Sequence, residues 1–182
     1  MVAHFIRKRR VEDHKVIYPN WFKTKVVYLS QLVARLRAEI TLDKAGDPIV
    51  VPIEEVGTRI CRQLTKLARI LAMMENRDEI NEDDFAFIYR IGRDSMMVWH
   101  WKVTKTIAES GKSTAEIAAA LNISTSMVGR KLKDLRLLNI VYKEEQKSED
   151  KDGRPTIVYY LTSEMRKIWD GSLLEGIVTG KQ

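Results

Sequence analysis

The fold of the second half of the chain is decided by the stretch STAEIAAALNIS, residues 113–124. Ser113 lies three residues before Glu116, which is the spacing of a capping box at the start of a helix. The apolar positions that follow repeat at helical spacing and then stop at a tight turn. Ser124, at the end of the stretch, is suited to cap a second and longer helix over 125–138. The sequence therefore predicts a short helix, a turn and a longer helix.

Further elements are predicted on both sides of this stretch. A helix precedes it and stops at Ser110-Gly111. Asn139 suits the left-handed conformation that ends the longer helix. A strand that begins at 140–142 and a returning strand at 156–161 are rich in β-branched and aromatic residues, and they predict a hairpin with a long tip. Ser163 is predicted to cap a last helix.

Two segments resemble the winged form of the helix-turn-helix found in many bacterial and archaeal regulators. Residues 113–124 resemble the first helix and turn, and Gly153-Arg154-Pro155 followed by Tyr159-Tyr160-Leu161-Thr162 resembles the wing and its second strand. The resemblance implies a winged-helix domain over 95–170 with a β-hairpin wing. In such a domain the longer helix enters the major groove of duplex DNA.

The longer helix carries the candidate DNA-binding residues. We expect its apolar residues to face inward, which leaves a basic face opposed by Asp134 alone. Side chains near the start of such a helix meet base edges, and its flanking cations meet phosphates. Arg154 at the wing tip is a candidate for the minor groove. The candidates for base contacts are Thr125, Ser126 and Arg130, and those for phosphate contacts are Lys131, Lys133 and Arg136.

The wing also supports a different function. It carries several carboxylates, which repel phosphates: Glu144, Glu145, Glu149, Asp150 and Asp152. Leu137 and Leu138 are both apolar at the end of the longer helix, so one of them is available to face a partner. A protein–protein interaction module without a nucleic-acid role therefore stays open as an alternative.

The first half of the chain predicts a helical bundle. Residues 1–25 form a basic lead-in with the run Arg7 to Arg10, and apolar residues repeat at helical spacing from 26 to 94. Asn81 is a predicted N-cap, followed by acidic residues in the first turn. The bundle is expected to join the 95–170 domain through a continuous or kinked helix over 92–99, with a loose tail at 171–182. The predicted fold class is mainly α (α+β).

Part of this bundle resembles the helical lid of AAA+ ATPases, especially minichromosome maintenance helicases. The similar segments are RICRQLTKLA at 59–68 and NRDEINEDDF at 76–85. The resemblance implies a winged helix after the lid, and it places Arg59 where the family has its second-sensor arginine for the γ-phosphate. The sequence departs from the family because it contains no Gly-x-x-x-x-Gly-Lys-Ser/Thr loop.

Two contexts follow for a chain expected to bind duplex DNA without catalysis or cofactor. It is the C-terminal part of a replication-type AAA+ ATPase and contacts an ATPase core, or it is a free-standing regulator that dimerises through its N-terminal helices. The interaction module named above is the further alternative, in which the chain does not bind DNA. Arg59 is a cofactor-binding residue in the first context alone.

Charge and composition favour a nucleic-acid partner and exclude other classes. The net charge of +6 is distributed as a mildly acidic middle between a basic first 25 residues and a basic second half. Cys61 is the single cysteine, and His4, His14 and His100 are too far apart for a zinc site. No apolar run approaches the length of a membrane span. We therefore expect a cytoplasmic, nucleoid-associated protein without membrane contact or bound metal.

Overall fold

The computed structural model describes residues 16–38, 40–42, 48–49, 53–146 and 155–173. Among these residues, the first half contains three helices and two very short strands. These elements are α1 (Asn20–Arg37), β1 (Thr41–Leu42), β2 (Pro48–Ile49), α2 (Ile53–Met74) and α3 (Glu82–Asp94). β1 and β2 pair antiparallel, with Thr41 opposite Ile49. These two strands were not predicted from the sequence, and their β-branched residues Thr41 and Ile49 favour the extended backbone.

The helix α1 begins earlier than the sequence predicts. Its first residue is Asn20, so it extends across the predicted boundary between residues 25 and 26. Pro19 occupies the N-cap position, where a proline is tolerated because the first amides of a helix have no intrahelical acceptor. Pro19 O accepts a hydrogen bond from Lys23 N at 3.1 Å. Residues 20–25 of the predicted lead-in therefore belong to α1.

The N-cap of α3 is confirmed. Asn81 Oδ1 accepts a hydrogen bond from Asp84 N at 3.0 Å, and the Asp84 carboxylate accepts one from Asn81 N at 3.0 Å. The same carboxylate accepts a hydrogen bond from each terminal nitrogen of Arg77, both at 2.7 Å. Asp84 is only 3% exposed, so this bidentate ion pair satisfies a charge that would otherwise be buried alone.

The second half consists of helices around a three-stranded antiparallel sheet. Its elements are α4 (Val98–Glu109), β3 (Lys112–Ser113), α5 (Thr114–Leu121), α6 (Thr125–Leu137), β4 (Val141–Gln146), β5 (Thr156–Leu161) and α7 (Ser163–Ser172). The strand order is β3-β5-β4, and β4 pairs with β5 from Val141–Leu161 to Gln146–Thr156. The predicted fold class, mainly α with a small sheet, is confirmed at this level, whereas β3 was missed.

Two predicted details of these helices were wrong. α3 and α4 are separate, because Met97 has the extended ψ of 120° and its N–H donates to Leu36 O at 3.2 Å instead of continuing a helix. The cap of α7 is Thr162 and not Ser163, since Thr162 Oγ1 accepts from Met165 N at 3.2 Å.

One hydrophobic cluster includes buried residues from both halves. α1 packs against α2 and also against α7. The Arg35 guanidinium pairs with Glu164, and Lys25 Nζ donates to Leu173 O. An aromatic series of adjacent rings crosses the predicted boundary near residue 95, and it consists of Phe22, Phe85, Tyr89, Trp101 and Trp169. The division into two domains stays a prediction.

The close approach of Gly111 to the sheet predicts a large effect of a small substitution. A Cβ atom at Gly111 would lie 2.0 Å from Cε1 of Tyr160, whose ring stacks on Tyr142 at 5.6 Å. We expect Gly111→Ala to lower the free energy of unfolding by about 1–3 kcal/mol, because the ring must move. Urea denaturation monitored by circular dichroism measures this.

Gly129→Ala is the matched control for Gly111→Ala. Nothing lies within 4 Å of a Cβ at Gly129, which is exposed in the interior of α6. This change should raise the stability by about 0.5–1 kcal/mol, because alanine is the better helix former. Equal effects of the two substitutions would contradict the packing of Tyr160 on Gly111.

Candidate nucleic-acid interface

The helices α5 and α6 are joined by the predicted three-residue turn. Ser113 Oγ accepts from Glu116 N at 3.3 Å and Glu116 accepts from Ser113 N at 2.7 Å, so the predicted capping box is confirmed. These hydrogen bonds hold the pKa of the Glu116 carboxyl below its usual value. Asn122 has φ 52° and ends α5, and Ser124 Oγ then accepts from Met127 N at 3.3 Å to start α6.

The inner face of α6 fixes the orientation of the helix. Val128, Leu132 and Leu135 are each at most 1% exposed, and Leu138 is also buried. Asn139 follows with φ 54°, which confirms the predicted left-handed residue. Because the inner face is buried in the core, the opposite face of α6 must point to solvent.

That outer face contains most of the predicted DNA-binding residues. Arg130, Lys133 and Arg136 are exposed, and no ion pair to them occurs among the described residues. The three cations are three residues apart in sequence, so they lie on one side of this 13-residue helix. The exposed residues of α6 are Thr125, Ser126, Gly129, Arg130, Lys133, Arg136 and Leu137. None of them is acidic.

Lys131 lies at the edge of this face and differs from the other cations. It is half-buried, and its Nζ donates to Asp134 Oδ2 at 3.2 Å. Part of its charge is thereby neutralised within the protein. Its contact with a phosphate stays a prediction.

Asp134 also faces His100, which lies between the two halves of the chain. His100 Nδ1 lies 3.3 Å from Leu36 O, and its Nε2 lies 3.9 Å from Asp134 Oδ2. The residue is 2% exposed, and its Nε2 has no hydrogen-bond partner among the described residues. Burial is the main reason that the pKa of His100 lies below its usual value of 6.5, and the Lys131 charge lowers it further. His100 is therefore buried in the contact between the two halves of the chain.

This low pKa makes the stability of the fold depend on pH. Above pH 6.5 His100 is neutral in both the folded and the unfolded chain. As the pH falls below 6.5, the unfolded chain takes up a proton that the folded chain resists, so the free energy of unfolding falls. We expect His100→Gln to lose less stability than the original protein between pH 7.5 and 5.5, as measured by urea denaturation. The same pH dependence in both proteins would contradict the assignment to His100.

Sequence reasoning missed two features beside the outer face. Gly129 leaves the middle of this face without a side chain, and a glycine inside a helix was the available signal. A groove of about 400 Å³ runs along α6 and includes Ile40, the residue before β1. Leu137 lines this groove and is 37% exposed, whereas Leu138 is buried. No local sequence signal places Ile40 next to a helix some 90 residues later.

The remaining predicted site residues lie elsewhere. Arg59 is exposed in α2, and its role as a sensor arginine stays a prediction. Arg154, the basic run at 7–10 and the wing carboxylates at 149–152 fall outside the described residues. Glu144 and Glu145 are exposed on β4, which is one of the two edge strands of the sheet.

Comparisons with known proteins do not identify a family. No family model matches the chain, and no curated protein matches it. A solved structure of AbfR in a disulfide-formed state is similar over 66% of this chain and 77% of that chain, with 20% sequence identity and a TM-score of 0.36.

Two kinds of site are absent from the part of the chain that the structure describes. No helix there has both the length and the apolar composition needed to cross a bilayer. The same residues contain no group of three or more histidine, cysteine or acidic side chains placed to hold a metal ion.

Proposed function

We propose that this chain binds duplex DNA without catalysis, with α6 as the helix that enters the major groove. The observation that carries the proposal is the outer face of α6, where Arg130, Lys133 and Arg136 are exposed without a carboxylate among them. An α-helix fits the major groove, and unpaired cations on it replace the counterions of the phosphates.

The arrangement of the second half supports a winged-helix domain within 95–170. Its elements follow the order α4-β3-α5-α6-β4-β5, and β3 pairs with the returning strand β5. The β4-β5 hairpin comes directly after α6, in the position of a wing. The short turn between α5 and α6 holds the second helix against the first, so that its outer face stays free.

The two classes of contact are assigned by position on α6. Thr125 and Ser126 are exposed at its N-terminal end, where side chains reach base edges. Gly129 lets the helix approach the groove closely, and Arg130 lies beside it for a bidentate contact with guanine. Lys133 and Arg136 lie nearer the C-terminal end and contact phosphates, which position the protein but carry no sequence information.

The exposed carboxylates of β4 favour a binding mode that relies on the helix. Glu144 and Glu145 repel phosphates, so this part of the hairpin does not lie along the DNA backbone. Because β4 is an exposed edge strand, it also favours the second candidate function, an interaction module that binds a protein instead of DNA.

The ATPase-lid and regulator alternatives differ in the partner that they give to the helical first half. Four apolar side chains on α2 and α3 are 41–59% exposed: Ile70, Met74, Phe87 and Ile91. Either an ATPase core or a second copy of the chain would cover them. A monomeric mass in solution favours the ATPase context and a dimeric mass favours the regulator. Calorimetry with ATP and magnesium should show no binding, because the phosphate loop is missing.

The DNA proposal predicts a steep dependence of affinity on salt. A mixed-sequence duplex titrated by fluorescence anisotropy should bind more weakly as salt rises, because each neutralised phosphate releases counterions. Lys133→Ala and Arg136→Ala should each weaken binding on all sequences and flatten the salt slope by about one unit. Arg130→Ala should instead reduce the preference among sequences by roughly 1–3 kcal/mol.

Lys66→Ala, an exposed lysine on α2, is the matched control and should leave the affinity unchanged. Absence of binding at low salt and micromolar protein would refute the proposal and favour the interaction module. Equal, sequence-independent losses from all three α6 substitutions would refute the assignment of Arg130 alone.

A further inference from the structure

A second groove lies away from α6, between α4 and the ends of α3 and α5. Its volume is about 850 Å³, about twice that of the groove beside α6. Its lining includes several apolar side chains, of which Val98 is 61% exposed. The apolar residues of the lining are Met96, Val98, Trp101, Ala120 and Leu121. These side chains give a bound partner an apolar surface to pack against.

The charged residues of this groove are mostly basic. Lys102, Lys105 and Lys112 line it without an ion-pair partner among the described residues. Arg93 is already paired with Asp94 at 3.0 Å, so its charge is compensated locally. Glu109 is the remaining carboxylate of the lining. Lys112 also interacts electrostatically with the Glu116 carboxyl, so Lys102 and Lys105 are the cations that most favour an acidic occupant.

The shape of the groove favours a helical peptide. It follows the exposed side of α4, whose 12 residues span about 18 Å. That length accommodates about three turns of a second helix lying alongside. The Trp99 ring lies 5.0 Å from Lys102 Nζ, which holds one of the cations beside the groove.

We propose that this groove docks an amphipathic helix of a partner protein, with acidic residues on both sides of its apolar stripe. The apolar stripe packs on Val98, Trp101 and Leu121, and the acidic residues pair with the lysines. This is the helix-in-groove mode of recognition, in which apolar residues at i, i+4 and i+7 anchor the peptide. None of the lining residues belongs to α6, so the protein presents separate surfaces to DNA and to this partner.

The experiment uses two synthetic peptides and the full chain in the absence of DNA. The first is a fluorescein-labelled helix-forming peptide of about three turns, with leucines at i, i+4 and i+7 and glutamates on both sides. The second has the same leucines with lysines in place of the glutamates. The acidic peptide should bind at least about tenfold more tightly than the basic one, as measured by anisotropy.

A charge swap tests the site itself. The double variant Lys102→Glu/Lys105→Glu should bind the acidic peptide about tenfold more weakly and should gain affinity for the basic peptide. Both residues are exposed, so the fold is retained, and circular dichroism checks this. The matched control is Arg62→Glu/Lys66→Glu on α2, which makes the same change in net charge and should bind both peptides as the original protein does.

Three outcomes would overturn this inference. They are no binding of the acidic peptide up to about 1 mM, equal binding of both peptides, and unchanged binding by the Lys102/Lys105 variant. A short DNA duplex can also be added as a competitor. If it displaces the acidic peptide from the original protein but not from the Lys102/Lys105 variant, the groove binds nucleic acid instead. The DNA proposal is tested on α6 variants, so a failure of that proposal can be distinguished from a failure of peptide binding in this groove.

Discussion

The triple variant Arg130→Ala/Lys133→Ala/Arg136→Ala is expected to bind duplex DNA about 500-fold more weakly at about 0.1 M salt. Each cation that neutralises a phosphate contributes about 0.9 to the salt slope, which is about eightfold in affinity at that salt concentration. Lys133 and Arg136, which contact phosphates, together account for about 60-fold of this loss. The lost base contact of Arg130, worth about 1.2 kcal/mol, accounts for the remaining factor of about eight. The salt slope itself should fall by about 1.8, because two of the three cations contact phosphates. Anisotropy titrations over a series of salt concentrations measure both quantities.

The matched control is Arg59→Ala/Arg62→Ala/Lys66→Ala on α2. It removes the same charge from three exposed positions and should reduce the affinity by less than about threefold, through the weaker long-range field alone. A loss in this control as large as in the α6 variant would move the DNA contact to the helical half. It would also give Arg59 a role in binding that does not require a nucleotide.

The local signals of the site could be predicted from the sequence. The side chains of Ser113 and Ser124 cap the N-termini of α5 and α6, and the left-handed backbone of Asn122 ends α5. The information for each of these features lies within a few residues of the sequence. The outer face of α6 followed from helical periodicity. The same reasoning identified the Asn81 cap of α3.

Features that depend on distant contacts could not be predicted in this way. Asp134 was identified as the charge that opposes the basic face, but its hydrogen bond with Lys131 and its approach to His100 depend on side-chain packing. The contact of His100 with Leu36 O joins residues 64 positions apart. Met97 donates to the same Leu36 O, which breaks the helix that the local pattern predicted over 92–99. In each case tertiary contacts outweigh a weak local preference.

Phe85→Ala is expected to lower the free energy of unfolding by about 3–5 kcal/mol, the largest loss of stability expected here from one substitution. Phe85 is fully buried, and its ring lies 6.2 Å from Phe22 and 6.0 Å from Trp21, edge-on to both. The substitution removes these ring contacts and leaves a cavity where the surrounding helices cannot fully close. Urea denaturation measures the loss, which is a large part of the usual total of about 5–15 kcal/mol.

Phe87→Ala is the matched control, two residues further along the same helix. Its ring is 41% exposed and lies 5.9 Å from the Arg90 guanidinium, so its removal should cost less than about 1 kcal/mol. The aromatic series continues from Phe85 through Tyr89 to Trp101 in the second half. Because the core is continuous across the two halves, the Phe85→Ala variant should still unfold in one transition, at a lower urea concentration. Two separate transitions, with α6 retained in the second, would instead establish the predicted boundary near residue 95 as a true division between domains.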